Sequence, residues 1–224
     1  MTTTLAVLNQ KGGAGKTTLS TNIACQLQLN DYRVLLVDSD PQGSARDWHA
    51  ASDGQHLPVV GLDRATLDRD IKAITKDYDW VVIDGAPQLR EMAVAAIKAA
   101  DVILIPVQPS PYDIWACSDL VELIKSRQEV TDGRPKTAFV ISRVIQGTKL
   151  SKEVREALAE YGLPVFEHFT SQRVIYPNSA ASGSTPMLME PSGEGAKEVQ
   201  RITRELNNFI TGGITRGTHS EAAL

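Results

Sequence analysis

Residues 9 to 18 read Asn-Gln-Lys-Gly-Gly-Ala-Gly-Lys-Thr-Thr, a spacing suited to gripping a chain of phosphates. Glycines at 12, 13 and 15 tolerate the backbone angles that turn successive amides toward one anion. The second half, Gly15-Lys16-Thr17, follows the phosphate-loop pattern, in which the lysine reaches the β- and γ-phosphates and the hydroxyl sits on Mg²⁺. Gln10 stands where that pattern has its first glycine, and Lys11 adds a second lysine. Lys11 has two readings: a solvated surface lysine, or a cation offered to a triphosphate that faces the loop from another subunit.

Ligands of open α/β sheets bind at the carboxyl ends of the strands, so acids that close apolar runs are informative. Asp38 closes one run and opens Asp38-Ser39-Asp40-Pro41-Gln42-Gly43, and Asp84 closes another before Gly85-Ala86-Pro87. An apolar strand ending in Asp is the pattern whose carboxylate holds Mg²⁺, usually through water. Any one such Asp could cap a helix or a turn. Their joint occurrence beside a phosphate loop favours a single site. Asp40, two residues past the strand, is the candidate to orient an attacking water. Pro41 and Gly43 predict a fixed turn, and both acidic loops are placed to change conformation on hydrolysis.

The elements that must carry these residues follow from the hydrophobic pattern. Apolar runs without polar alternation predict buried parallel strands at 5–9, 34–38, 80–84, 102–107 and 137–142, with a shorter one near 164–166. Amphipathic stretches predict helices at 16–29, 64–76, 89–99, 114–130, 150–161 and 194–209. This alternation predicts an α/β fold, a mostly parallel central sheet with helices on both faces, in one domain over residues 1–210. Residues 211–224, with Gly212-Gly213 and scattered polar side chains, read as a disordered tail. The proline-rich run Pro106, Pro109 and Pro111 reads as a rigid strand-to-helix connection.

Composition narrows the class. The 224 residues are 42% apolar and 22% charged, as expected of a globular chain with a sizeable core. No apolar stretch approaches the ~18 residues of a membrane span, and no secretory signal is expected. Cys25 and Cys117 are too few and too separated for a disulfide framework or a zinc cluster. They read as reduced, packed thiols of a cytosolic protein. The formal net charge of −4 is unevenly spread: residues 1–133 hold 12 Lys/Arg against 18 Asp/Glu, residues 134–204 hold 10 against 7. The later third could therefore present a basic face to a polyanion. Candidates are Lys149, Lys152 and Arg155, then Arg173, then Lys197, Arg201 and Arg204 at spacings that share one helical face. Each has the ordinary alternative of a solvated surface charge.

Taken together, these motifs resemble the ParA/MinD group of deviant Walker A ATPases, and most closely its small ParA partition members. Residues 11–17 match the KGGxGKT signature, residues 38–43 the DxDPQG switch, Asp84 the Walker B acid, and 190–196 the segment that opens the last ParA helix. The loop starts so early that the operator-binding domain of larger ParA proteins is not expected. The resemblance implies an ATP- and Mg²⁺-dependent hydrolase of low basal turnover. Gly12, Gly13, Ala14, Gly15, Lys16 and Thr17 would bind phosphate, with Thr18 at the α-phosphate. Thr17, Asp38 and Asp84 would hold the metal and its waters, and Asp40 the hydrolytic water. Pro191 would line the base pocket, with Arg143 as a neighbour. Lys11 would cross an ATP-sandwich homodimer, an isologous arrangement in which each copy serves the other's nucleotide. The implied partners are non-specific DNA and a ParB-like adaptor protein, with no membrane, in a cytoplasmic, nucleoid-associated protein that positions a cargo.

Two related readings share the nucleotide site. A MinD-like membrane-positioning ATPase would need a basic amphipathic helix at the C-terminus. A redox ATPase resembling the nitrogenase iron protein would need cysteines on the dimer-facing loops. A binding scaffold without hydrolysis is a third, opposed by Asp40 and Asp84.

Overall fold

The computed structural model describes residues 2–87, 90–145 and 150–212, without the side chains of 150–152. Six strands, β1 (Thr3–Val7), β2 (Val34–Asp38), β3 (Val59–Gly61), β4 (Trp80–Asp84), β5 (Val102–Val107) and β6 (Lys136–Ile141), form one sheet in the order β3-β2-β4-β1-β5-β6. Every pairing is parallel. The helices are α1 (Lys16–Leu29), α2 (Ser44–Ala51), α3 (Leu67–Ile74), α4 (Arg90–Ala99), α5 (Pro111–Trp115), α6 (Ser118–Glu129), α7 (Leu150–Ala159), α8 (Ile175–Ala181), α9 (Pro186–Met189) and α10 (Glu194–Thr211).

Side chains alternate across a pleated strand, so an uninterrupted apolar strand feeds a core on each face. In β1, Ala6 joins Val37, Ile83, Ile103, Phe139 and the inner faces of α3, α4, α6 and α7. Leu5 and Val7 join Leu36, Val82 and Leu104 with Leu19, Ile23 and Leu27 of α1, Trp48 of α2 and Val199, Ile202 and Leu206 of α10. The result is the three-layer arrangement expected from the strand–helix alternation.

Differences from the expected elements have local causes. The first strand ends at Val7 rather than Asn9, because Asn9 turns its side chain to Pro106 O (2.7 Å) and leaves the ladder. Edge strand β3 has only three residues, too few for a periodic signal. Residues 164–166 add only an isolated bridge, Val165 to Phe139, at the β6 edge. The helix expected over 114–130 starts earlier, at Pro111, and breaks at Ala116–Cys117, where the Cys117 amide tightens onto Ile114 O (3.1 Å). Helices α2, α8 and α9 were not expected. Helix α10 continues through Thr211 and closes on left-handed Gly212, so the expected tail overlaps the helix at 211; residues 213–224 lie outside the described residues.

Gly183, between α8 and α9, shows how closely this layer packs. It sits at φ 62, and a Cβ there would collide with Ser52 N and Trp48 O of the α2 end. Gly133, at φ 77, has open space around the same position. Gly183→Ala is therefore expected to destabilise the fold by about 2–4 kcal/mol, adding overpacking to backbone strain. Gly133→Ala is expected to cost only about 1 kcal/mol. Urea unfolding of the two variants checks the difference, and equal losses would contradict the packing assigned to Gly183.

Candidate functional site

The site is assembled where β1, β2 and β4 end together. The register sets Val7 beside Asp84 and Asp84 beside Asp38, so two acids and the start of the phosphate loop share one end of the sheet. The loop from Leu8 to Gly15 then runs into α1, with Gly13 at φ 75 and Gly15 at φ 98.

Other elements hold the carbonyls of this loop. Gln108 Nε2 donates to Gly13 O (2.7 Å), Ser142 Oγ to Ala14 O (2.8 Å) and Lys16 Nζ to Lys11 O (3.0 Å). The Lys11 amide is bound by Asn9 Oδ1 (2.8 Å). Among the described residues, no hydrogen bond occupies the amides of Gly12, Gly13, Ala14 and Gly15. Unpaired amides at a helix N-terminus form a cradle for an anion. Gln108 and Ser142 were not among the expected site residues; a hydroxyl and an amide carry no motif until the fold sets them against the loop.

Lys16 lies beneath the loop, 7% exposed. Burial holds its ammonium below the usual lysine range, while Asp84 and Asp40 oppose that shift. Thr17 Oγ1 donates to Asp84 Oδ2 (2.7 Å), and Ser20 Oγ to Asp84 Oδ1 (3.1 Å). Asp84 is fully buried, and its carboxyl is pushed up to about 7, first by desolvation and then by Asp38, against the hydroxyl bonds and Lys16. Asp38 is also fully buried and accepts the Asp40 amide (3.0 Å) and the Arg46 amide (3.0 Å). Asp40 is half-buried and accepts the Gln42 amide on Oδ1 (2.9 Å). Thus Lys16, Thr17, Asp38, Asp40 and Asp84 are brought together. The hydroxyl and buried carboxylates form a hard-oxygen donor set that suits Mg²⁺, which takes one or two protein oxygens and completes its shell from phosphate and water. No group of three or more His, Cys, Asp or Glu gathers for a metal among the described residues.

Lys11 is not left in solvent. Its Nζ sits 2.6 Å from Asp113 Oδ2 on α5; Lys11 is 40% exposed and Asp113 only 5%. The other Asp113 oxygen is buried with no hydrogen bond.

A cavity of about 650 Å³ opens beside the loop, lined in part by Gly15, Thr18, Gln108, Arg143, Arg173 and Tyr176. This size suits a nucleoside. Arg143, at φ 55, is on its rim. Pro191 is not: it lies exposed between α9 and α10, outside the lining. The wall is instead the segment from Thr170 to Pro177. Buried Glu198 of α10 draws it in, accepting from Ser171 N (3.0 Å), Ser171 Oγ (2.7 Å), Arg173 Nε (2.9 Å) and Tyr176 OH (2.8 Å).

Among the described residues, two of the candidate DNA contacts are engaged within the fold. Arg173 is committed to Glu198, and Arg155 donates to the carbonyls of Val165, Phe166 and Glu167. Both are structural cations here, since each satisfies partly buried acceptors. Lys149 and the Lys152 side chain lie outside the described residues. Lys197, Arg201 and Arg204 share the outer side of α10, whose inner side buries Ala196, Val199, Ile202 and Leu206. Lys197 also pairs with Glu194 (2.8 Å).

A parallel sheet with an amide cradle, a buried lysine and two strand-end acids defines a P-loop nucleotide-binding protein. The family described as the CobQ/CobB/MinD/ParA nucleotide binding domain matches residues 5–187, and the chain belongs to it. Among its relatives, the maintenance of carboxysome distribution protein A of Halothiobacillus neapolitanus is 34% identical, over 91% of this chain and 95% of that protein. The chromosome-partitioning ATPase Soj of Thermus thermophilus is 28% identical, over 90% and 94%. The fold is shared with cobyrinic acid a,c-diamide synthase of Mycobacterium smegmatis with bound ATP analogue and magnesium, at a TM-score of 0.76 and 21% identity, over 96% and 97%.

The raised Asp84 carboxyl has a thermodynamic consequence. The folded state holds the proton to about pH 7, while the unfolded chain releases it near the ordinary aspartate value of 3.8. Its contribution to stability is therefore full below pH ~4 and is lost as pH rises through ~7. In nucleotide-free protein, Asp84→Asn is expected to gain stability over wild type progressively from pH 5 to 8, by urea unfolding. A pH-independent difference would refute the shift.

Proposed function

We propose that this chain is a ParA-like ATPase that positions a cargo by cycling between a nucleotide-free monomer and an ATP-sandwich dimer. The observation that carries this reading is the pair of lysines: Lys16 is buried within the cradle, whereas Lys11 swings out to Asp113 on α5. One lysine is placed for its own nucleotide, and the other is held outside it, where a second copy can be met.

In this reading the amides of Gly12 to Gly15 and Lys16 take the β- and γ-phosphates, and Thr18 lies toward the α-phosphate. Arg143 and the wall held by Glu198 enclose the base. Thr17 and Asp84, with Asp38 behind them, would hold Mg²⁺, which when bound spreads charge compensation over the phosphate oxygens. ATP and magnesium are supported by the bound state of the Mycobacterium smegmatis relative in fold. Asp40 orients the attacking water, and Lys11 from the twin offsets transition-state charge, as a cation supplied in trans does in other P-loop enzymes.

The cargo reading draws on relatives concerned with carboxysome distribution and chromosome partitioning. We assign the outer stripe of Lys197, Arg201 and Arg204 to weak, non-specific DNA contact, and stimulation of hydrolysis to a ParB-like adaptor, with the protein held on the nucleoid. Against a MinD-like membrane role, α10 spends its apolar side on α1 and the core. Against an iron–sulfur role, both thiols are buried and pushed up to about 12 by desolvation.

Lys11→Ala is expected to bind ATP normally and to remain monomeric with it. Asp113→Asn releases Lys11 from its resting partner and is expected to tighten ATP-dependent dimerisation roughly fivefold, the equivalent of about 1 kcal/mol for a half-exposed ion pair. Light scattering with ATP and ADP reads both, and an ATP dimer of Lys11→Ala would defeat the trans role. Joint replacement of Lys197, Arg201 and Arg204 by Ala is expected to weaken DNA binding and flatten its salt dependence. An unaltered salt slope in fluorescence anisotropy would place DNA elsewhere.

A further inference from the structure

Arg46, at the third position of α2, makes more contacts to the Asp40 loop than any phosphate ligand does. Its amide donates to Asp38 Oδ2 (3.0 Å) and its Nε lies 3.4 Å from the same oxygen. Nη2 reaches Asp40 O (2.9 Å), Pro41 O (3.4 Å) and Asp63 Oδ2 (3.3 Å). The guanidinium fills a slot left by two missing side chains. A Cβ on Gly43 would lie 3.2 Å from Nε, and one on Gly61 would lie 3.1 Å from Nη1. Arg46 thus joins the loop at 38–43 to the end of β3.

The loop has few other restraints at its tip. Ser39 is anchored at the start, its amide (3.0 Å) and hydroxyl (2.7 Å) both on Asp84 O. Past it, Asp40 is half-buried and Pro41 and Gln42 are exposed. Their remaining bonds stay within the turn: Gly43 N to Asp40 O (2.9 Å) and Gln42 N to Asp40 Oδ1 (2.9 Å). A turn bonded to itself can swing as a unit, and Arg46 is the side chain that ties it to the sheet. Arg46 also pairs with the carboxylates of both Asp38 and Asp63.

We propose that Arg46 is a positioning residue for hydrolysis: it fixes the Asp40 loop against β2 and β3 and so sets turnover without contributing to nucleotide affinity. This rests on the reading of Asp40 as the residue that orients the attacking water. Arginine is required because its planar fork serves acceptors lying in several directions, whereas a lysine ammonium is a single point of charge.

The test compares wild type, Arg46→Lys, Arg46→Met, Asp63→Asn and Asp40→Ala as full-length chains. Single-turnover ATP hydrolysis, affinity for a fluorescent ATP analogue, amide exchange of 38–43 and thermal unfolding are measured together. Turnover is expected to fall on the order of tenfold to a hundredfold in Arg46→Met, the range of a small misplacement of a catalytic group. Arg46→Lys is expected to recover little of it and Asp63→Asn to fall between. Affinity stays at the wild-type value, and exchange at 39–43 quickens. Normal turnover in Arg46→Met alongside a dead Asp40→Ala would overturn the proposal alone, as would a parallel loss of affinity or a drop in thermal midpoint with no change in turnover. Normal turnover in Asp40→Ala, or none in wild type, would overturn the reading beneath it.

Discussion

Everything at this site depends on keeping a row of backbone amides unpaired at the mouth of a helix. Unpaired amides are costly away from water, so the loop must be prevented from turning inward to satisfy itself. Three side chains do this by occupying the carbonyls: Gln108 and Ser142 from other elements and Lys16 from the first position of α1 hold Gly13, Ala14 and Lys11. With the carbonyls engaged, the peptide planes are set and the amides of Gly12 to Gly15 face the open side. The cradle is therefore a property of β5, β6 and α1 acting together, not of the glycines alone.

A second constraint is charge. Asp38 and Asp84 are both buried at adjoining strand ends, and Asp84 carries a raised carboxyl in consequence. Lys16 faces Asp84 from beneath the loop and Arg46 faces Asp38, whereas Lys11 is turned to Asp113. The contacts of Arg46 and Lys11 extend from this end of the sheet to α2, the end of β3 and α5, none of which belongs to the phosphate loop.

Much of this was legible in the sequence wherever a signal is local. The strands at 34–38, 80–84 and 102–107 and the helix at 16–29 follow directly from continuous apolar runs and a glycine-to-lysine boundary. The loop motif and the strand-end acids are short patterns whose meaning lies in neighbouring residues, and the fold gathers them at one place. Where the signal is short or absent, the reading failed: β3 has three residues, α8 and α9 lack a periodic stripe, and the amphipathic pattern through 114–130 hides the break at Ala116–Cys117. Pro191 was expected at a base pocket from its place in a motif; it lies outside the cavity beside the loop, whose wall is made by residues 170–177, which Glu198 fastens to α10.

The sequence by itself determined the parallel α/β class, the phosphate loop, the strand-end acids and the membership that these residues proclaim. Such features depend on spacing along the chain, and the physics of a strand end or a helix start acts over a few residues. Only the tertiary structure decided which charges are free and which are spent. Arg155 and Arg173 look like surface cations until folding gives them carbonyls and Glu198 as partners, and Lys11 looks solvated until α5 brings Asp113 to it from 102 residues away. A side chain's charge is written in its identity, but its partner is set by through-space packing, which no local spacing records.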